Sequence, residues 1–84
     1  MEAPEPGLSS LIITLTALPE LRSQALAALA ARSDLELGEP GGRWLPAALT
    51  THAPYEAFRE LESIPGVELV EVVFVELPEP AATA

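Results

Sequence analysis

The sequence predicts an α+β domain, a ferredoxin-like βαββαβ fold with a four-stranded antiparallel sheet and two helices on one of its faces. Three observations lead there. Stretches of period-two alternation bracket two stretches of helical spacing. Each helical stretch opens near a proline, Pro19 or Pro54, so the chain reads as two halves with the same order of strand, helix and strand. A chain of 84 residues can bury one small two-layer core, not two.

The ends read as tails. Residues 1–7 and 78–84 are rich in Pro, Ala and Glu and lack hydrophobic periodicity, so they are expected to be disordered around a domain at 8–77. From Leu8 to Ala17 the chain alternates: Leu11, Ile13 and Leu15 share one face, and Ser10, Ile12, Thr14 and Thr16 the other. Its β-branched residues favour a strand. Pro19-Glu20 then suits a helix first turn, with the carboxylate at the positive end of the helix dipole. The alanine-rich run to Arg32 is strong helix former, with Leu21, Ala25, Ala28 and Leu29 at core spacing.

Asp34 to Gly38 alternates acid and leucine, a short strand with one wet face. Glu39-Pro40-Gly41-Gly42 is a turn by its chemistry. Arg43 to Thr51 returns as a strand, with Leu45, Ala47 and Leu49 on one face and Trp44, Ala48 and Thr50 on the other. Pro46 conflicts with that assignment, because proline cannot donate to a ladder and belongs at an edge or bulge. The second helix runs from Pro54 to Ile64 and turns Ala57, Phe58, Leu61 and Ile64 inward; Pro65-Gly66 stops it. In the last strand, Val67 to Leu77, alternation puts Val70, Val72 and Phe74 on the helix side and Leu69, Glu71, Val73 and Val75 on the other.

Composition excludes several kinds of chemistry. With no cysteine, disulfides, thiol catalysis, cysteine-held zinc and iron–sulfur clusters are out. Thirteen acids against four bases give a net charge of −9, which repels nucleic-acid phosphate and anionic lipid and attracts a basic partner. Every base is Arg, so no lysine offers Schiff-base chemistry. No apolar run approaches a membrane span, and no basic stretch followed by an apolar one opens the chain, so a soluble protein that is not itself exported is expected. His52, beside Thr50 and Thr51, is the one histidine, and it reads as a loop or helix-start residue rather than a general base. Glu56 and Glu60 share a helix face, but with Arg59 beside them they read as a solvated face. Gly41-Gly42 lacks the spacing of a phosphate loop. The expectation is a protein that is not an enzyme and carries no cofactor.

What stands out is the sheet face that no helix covers. Alternation places Ile12, Trp44, Ala48, Leu69, Val73 and Val75 there, among Ser10, Thr14, Thr16, Thr50 and Glu71. An apolar floor with carboxylates suits a peptide that joins Arg residues to an apolar stretch. The expected peptide-binding residues are Ile12, Thr14, Trp44, Ala48, Leu69, Glu71, Val73 and Val75, with Glu71 contacting Arg. The ordinary alternative is a face covered by a second copy.

Several pieces of this chain resemble the NapD family: Ser9-Ser10-Leu11-Ile12-Ile13, the helix opening Leu18-Pro19-Glu20, the Gly42-Arg43 turn, and Glu62-Ser63-Ile64-Pro65-Gly66-Val67 before a valine-rich last strand. The resemblance runs from Leu8 to Glu76; it departs at Phe74-Val75-Glu76, where the family often has an aromatic followed by His, and at Pro46. It implies a cytoplasmic maturation chaperone of periplasmic nitrate reductase. Such a protein binds the twin-arginine (Tat) signal peptide of the catalytic subunit as a helix against the sheet, and delays export until the molybdenum cofactor is inserted. The expected partner is that signal peptide, with no nucleic acid and no stable membrane association, and the chain is expected as a monomer or weak dimer. The alternative function is a regulatory module that binds a small molecule, such as an amino acid, as a homodimer.

Overall fold

A computed structural model describes residues 6–76. The element order is β1 (Gly7–Leu15), α1 (Pro19–Ala30), β2 (Leu35–Leu37), β3 (Trp44–Thr51), α2 (Pro54–Glu62) and β4 (Val67–Val75). The strands form one antiparallel sheet in the order β2-β3-β1-β4, the ferredoxin-like arrangement expected. Most of the two expected tails lies outside the described residues; Gly7, assigned to the first of them, is buried as the first residue of β1.

The core lies between the sheet and the two helices. Leu11, Ile13 and Leu15 from β1 and Leu45, Ala47 and Leu49 from β3 are buried, as their alternation requires. Leu35 of β2 joins them, and Ala25, Leu29, Ala57, Phe58 and Leu61 close the layer from the helices. Each fully buried Leu or Ile contributes about 1.5–3 kcal/mol, so this layer dominates stability. Ala28, expected inward on α1, is exposed; Leu21 and Leu26 are half-buried there.

Both helices begin with proline at their first turn and no side-chain cap. The missing proline N–H falls where a helix leaves its donors unpaired in any case. Upstream hydroxyls order the approaches: Thr16 Oγ1 accepts the Leu18 N–H at 3.2 Å, and Thr51 Oγ1 accepts the Ala53 N–H at 3.1 Å. Thr16, expected on the open face, is therefore a buried turn residue.

Gly66 joins α2 to β4 with φ +97, and its carbonyl accepts the Thr16 N–H at 2.8 Å. A Cβ there would stand 2.7 Å from the Leu21 carbonyl oxygen and 2.9 Å from the Ala25 Cβ. Only glycine combines that dihedral with so close an approach to α1.

Pro46 lies in an interior strand. Its carbonyl points toward β2 and accepts the Gly38 N–H at 2.8 Å, so its missing N–H points the same way, just past the end of β2 at Leu37. Toward β1 it faces Ile12 without losing a ladder bond. The chain satisfies the edge rule for proline by ending the neighbouring strand there.

β4 departs from simple alternation. Its pairing with β1 shifts register twice, between Ser10 and Leu11 and between Thr14 and Leu15, so Val73 and Glu68 are skipped. Val67, Val70, Val72 and Val75 lie opposite Leu15, Ile13, Leu11 and Ser9 on the helix side. Leu69, Glu71 and Phe74 lie opposite Thr14, Ile12 and Ser10 on the open side. Two expectations are corrected by this: Phe74 faces outward, and Val75 packs against the core. The bulge at Val73 inverts the alternation beyond it. Val72 keeps its expected side, yet it is 42% exposed at the uncovered edge.

Candidate functional site: the open sheet face

Beyond Thr50 and Leu8 at one end, register places the face in three rows across the sheet. Trp44, Thr14 and Leu69 form the first; Pro46, Ile12 and Glu71 the second; Glu36, Ala48, Ser10 and Phe74 the third. Val73, between the last two rows on β4, lines the same shallow depression as Ser10, Ile12, Glu36, Pro46 and Ala48. The depression has a volume of about 420 Å³. Seven of the eight residues expected here lie on this face: Ile12, Thr14, Trp44, Ala48, Leu69, Glu71 and Val73. Val75 does not.

The face is unusually apolar for one open to water. Trp44 is 63% exposed, Val73 67%, Phe74 56% and Leu69 48%. Sequence reasoning missed four of its members, among them Leu8, which pairs with Thr50 and is 41% exposed. Phe74 was hidden by the bulge, Pro46 contributes its ring to the floor beside Ile12, and Glu36 required the register of β2 on β3 to be placed. The acid–leucine alternation from Asp34 to Leu37 did mark Glu36 as facing water.

The charge on this face is one-sided. Glu36 and Glu71 are exposed, and among the described residues neither has an ion-pair partner. The arginines are held elsewhere. Arg22 and Arg59 belong to the helices. Arg32 donates to Asp34 through Nε at 2.9 Å and Nη2 at 2.8 Å, and to Glu60 through Nη1 at 3.0 Å. That fork ties the end of α1 to the approach to β2 and to α2. The hydrogen bonds from Arg32 hold the Asp34 carboxyl below its ordinary range, and those to Asp34 and Glu60 raise the guanidinium. Arg43 donates its Nε to the Leu15 carbonyl at 2.9 Å and pairs with Glu68, fastening β3, β1 and β4 at one end of the sheet.

Catalytic groupings are sparse among the described residues. His52 is exposed on the turn before α2, and the neighbouring Thr51 hydroxyl is engaged by the Ala53 N–H. Glu60, which shares a helix face with Glu56, accepts from Arg32. No group of three or more metal-ligating side chains and no helix long and apolar enough to cross a membrane occurs among these residues. No family model, curated protein or solved structure matches the chain.

Proposed function

We propose that this protein is a non-enzymatic cytoplasmic chaperone that binds a twin-arginine signal peptide, that of a periplasmic nitrate reductase catalytic subunit, and delays export until the molybdenum cofactor is in place. The single observation carrying the reading is the open face, an apolar floor with uncompensated carboxylates at its flanks. Such a surface suits a segment that is both basic and apolar, the two properties a twin-arginine export signal combines. The resemblance to the NapD family supplies the identity of the precursor.

Magnitudes assign the parts of the face different roles. An exposed ion pair is worth about 0.2–1 kcal/mol. Covering a side chain such as Leu69 or Phe74 gains about 1.5–3 kcal/mol before association costs. Affinity therefore comes from the apolar floor, and discrimination for arginine from the carboxylates.

Titration calorimetry of the full chain with the synthetic signal peptide, beside a peptide whose arginines are replaced by glutamine, tests the reading. Saturable 1:1 binding that weakens without the arginines supports it. Absence of binding, or equal binding of both peptides, overturns it. A stable homodimer that ignores the peptide and binds an amino acid would support the regulatory-module alternative instead.

A further inference from the structure

We infer that the two arginines of the bound segment are read separately, one by Glu71 on β4 and the other by Glu36 on β2, from opposite flanks of the apolar floor. The inference rests on the signal-peptide reading and adds to it a second carboxylate and a rule of spacing. Glu36 and Glu71 stand on the two outermost strands, on the same face, with β3 and β1 between them. Three strand spacings separate them across the sheet by about 14 Å, and their rows are offset by two residues, about 7 Å along the strands. The floor between them consists of Ile12, Pro46, Ala48 and Ser10.

An α-helix with its side chains is about 10–12 Å across, so one helix laid along the strands fits between the two carboxylates. Successive residues of a helix point about 100° apart. Two adjacent arginines that straddle the sheet-facing line therefore point about 50° to either side, one toward each flank; their rise of about 1.5 Å covers little of the offset along the strands, and the long, flexible arginine side chains span the rest. Residues three before the first arginine and four after it fall within about 10° of that line and meet the floor. Arginines four residues apart lie only about 40° from each other, on a single flank, and reach one carboxylate. Because no cation neutralises either glutamate among the described residues, each is free to accept a guanidinium.

Double-mutant cycles by titration calorimetry test this with the full chain, Glu36→Gln and Glu71→Gln. The probes are a synthetic helix-forming peptide with an adjacent arginine pair and apolar residues at the two floor positions, the two peptides in which one arginine is glutamine, and one with the arginines four apart. Each protein variant is expected to weaken binding of the parent peptide about two- to fivefold, and each to couple to a different arginine. With the arginines four apart, only one of the two variants is expected to matter. Coupling of both glutamates to the same arginine, or an unchanged affinity in Glu36→Gln alone, overturns the two-flank arrangement while leaving the signal-peptide reading standing. Failure of every peptide to bind the unmodified chain overturns both.

Discussion

Gly38 gives its N–H to the Pro46 carbonyl at 2.8 Å, and Pro46 has no N–H to return. This one-sided pair ends β2 after three residues and lets proline stand in an interior strand. It also brings the two residues close: a Cβ on Gly38 would lie 3.1 Å from the Pro46 ring. Pro46→Ala is expected to gain a protected amide at residue 46, read by hydrogen exchange. Its stability should change by no more than about 1 kcal/mol, since the gained hydrogen bond and the lost restraint on the unfolded chain offset each other.

Gly66 and Gly42 both have positive φ, at +97 and +67, but only Gly66 is crowded. Gly66→Ala should destabilise the chain by more than about 2 kcal/mol, adding backbone strain to collision with α1. Gly42→Ala, with nothing within 4 Å of the added Cβ, should cost only the strain of about 1 kcal/mol. Urea midpoints of the two variants give the comparison.

The fork from Arg32 to Asp34 makes stability depend on acid. The folded-state pKa of Asp34 is lowered from its ordinary value of 3.8, so its contribution is complete above that value and disappears as pH falls through the lower folded-state value. Asp34→Asn should therefore be less stable than the unmodified chain at neutral pH. The gap should close as acid protonates Asp34. Urea unfolding across the acid range follows it, and a gap independent of pH would contradict the assignment.

Most of the fold is legible in the sequence because strand alternation and helical spacing agree with the burial of β1, β3 and α2. The inward set Ala57, Phe58, Leu61 and Ile64 can be read directly from spacing. The last strand resists such reading. In Val67-Glu68-Leu69-Val70-Glu71-Val72-Val73-Phe74-Val75 nearly every side chain is apolar, so nothing in composition reveals that Val73 and Glu68 bulge. Hence Phe74 and Val75 exchange faces relative to simple alternation. Glu36 is different: its exposure follows from local pattern, while its position on the flank of the floor depends on pairing with Ala48, a long-range property.

That exchange of faces has a direct test in paired substitutions. Val73→Ser removes exposed apolar surface and should weaken peptide binding while leaving the urea midpoint nearly unchanged. Val75→Ser places a hydroxyl against the core and should destabilise the fold by about 1–3 kcal/mol. A selective loss of binding in Val75→Ser, with stability intact, would restore Val75 to the open face.

The peptide is proposed to lie on the uncovered side of the sheet. Amide chemical-shift mapping of the isotope-labelled chain, titrated with the synthetic twin-arginine signal peptide, tests it most directly. Shifts are expected to concentrate at Ile12, Trp44, Ala48, Leu69, Glu71, Val73 and Phe74, with a change in the Trp44 indole signal. Shifts confined to α1 and α2, or none at saturating peptide, would contradict it.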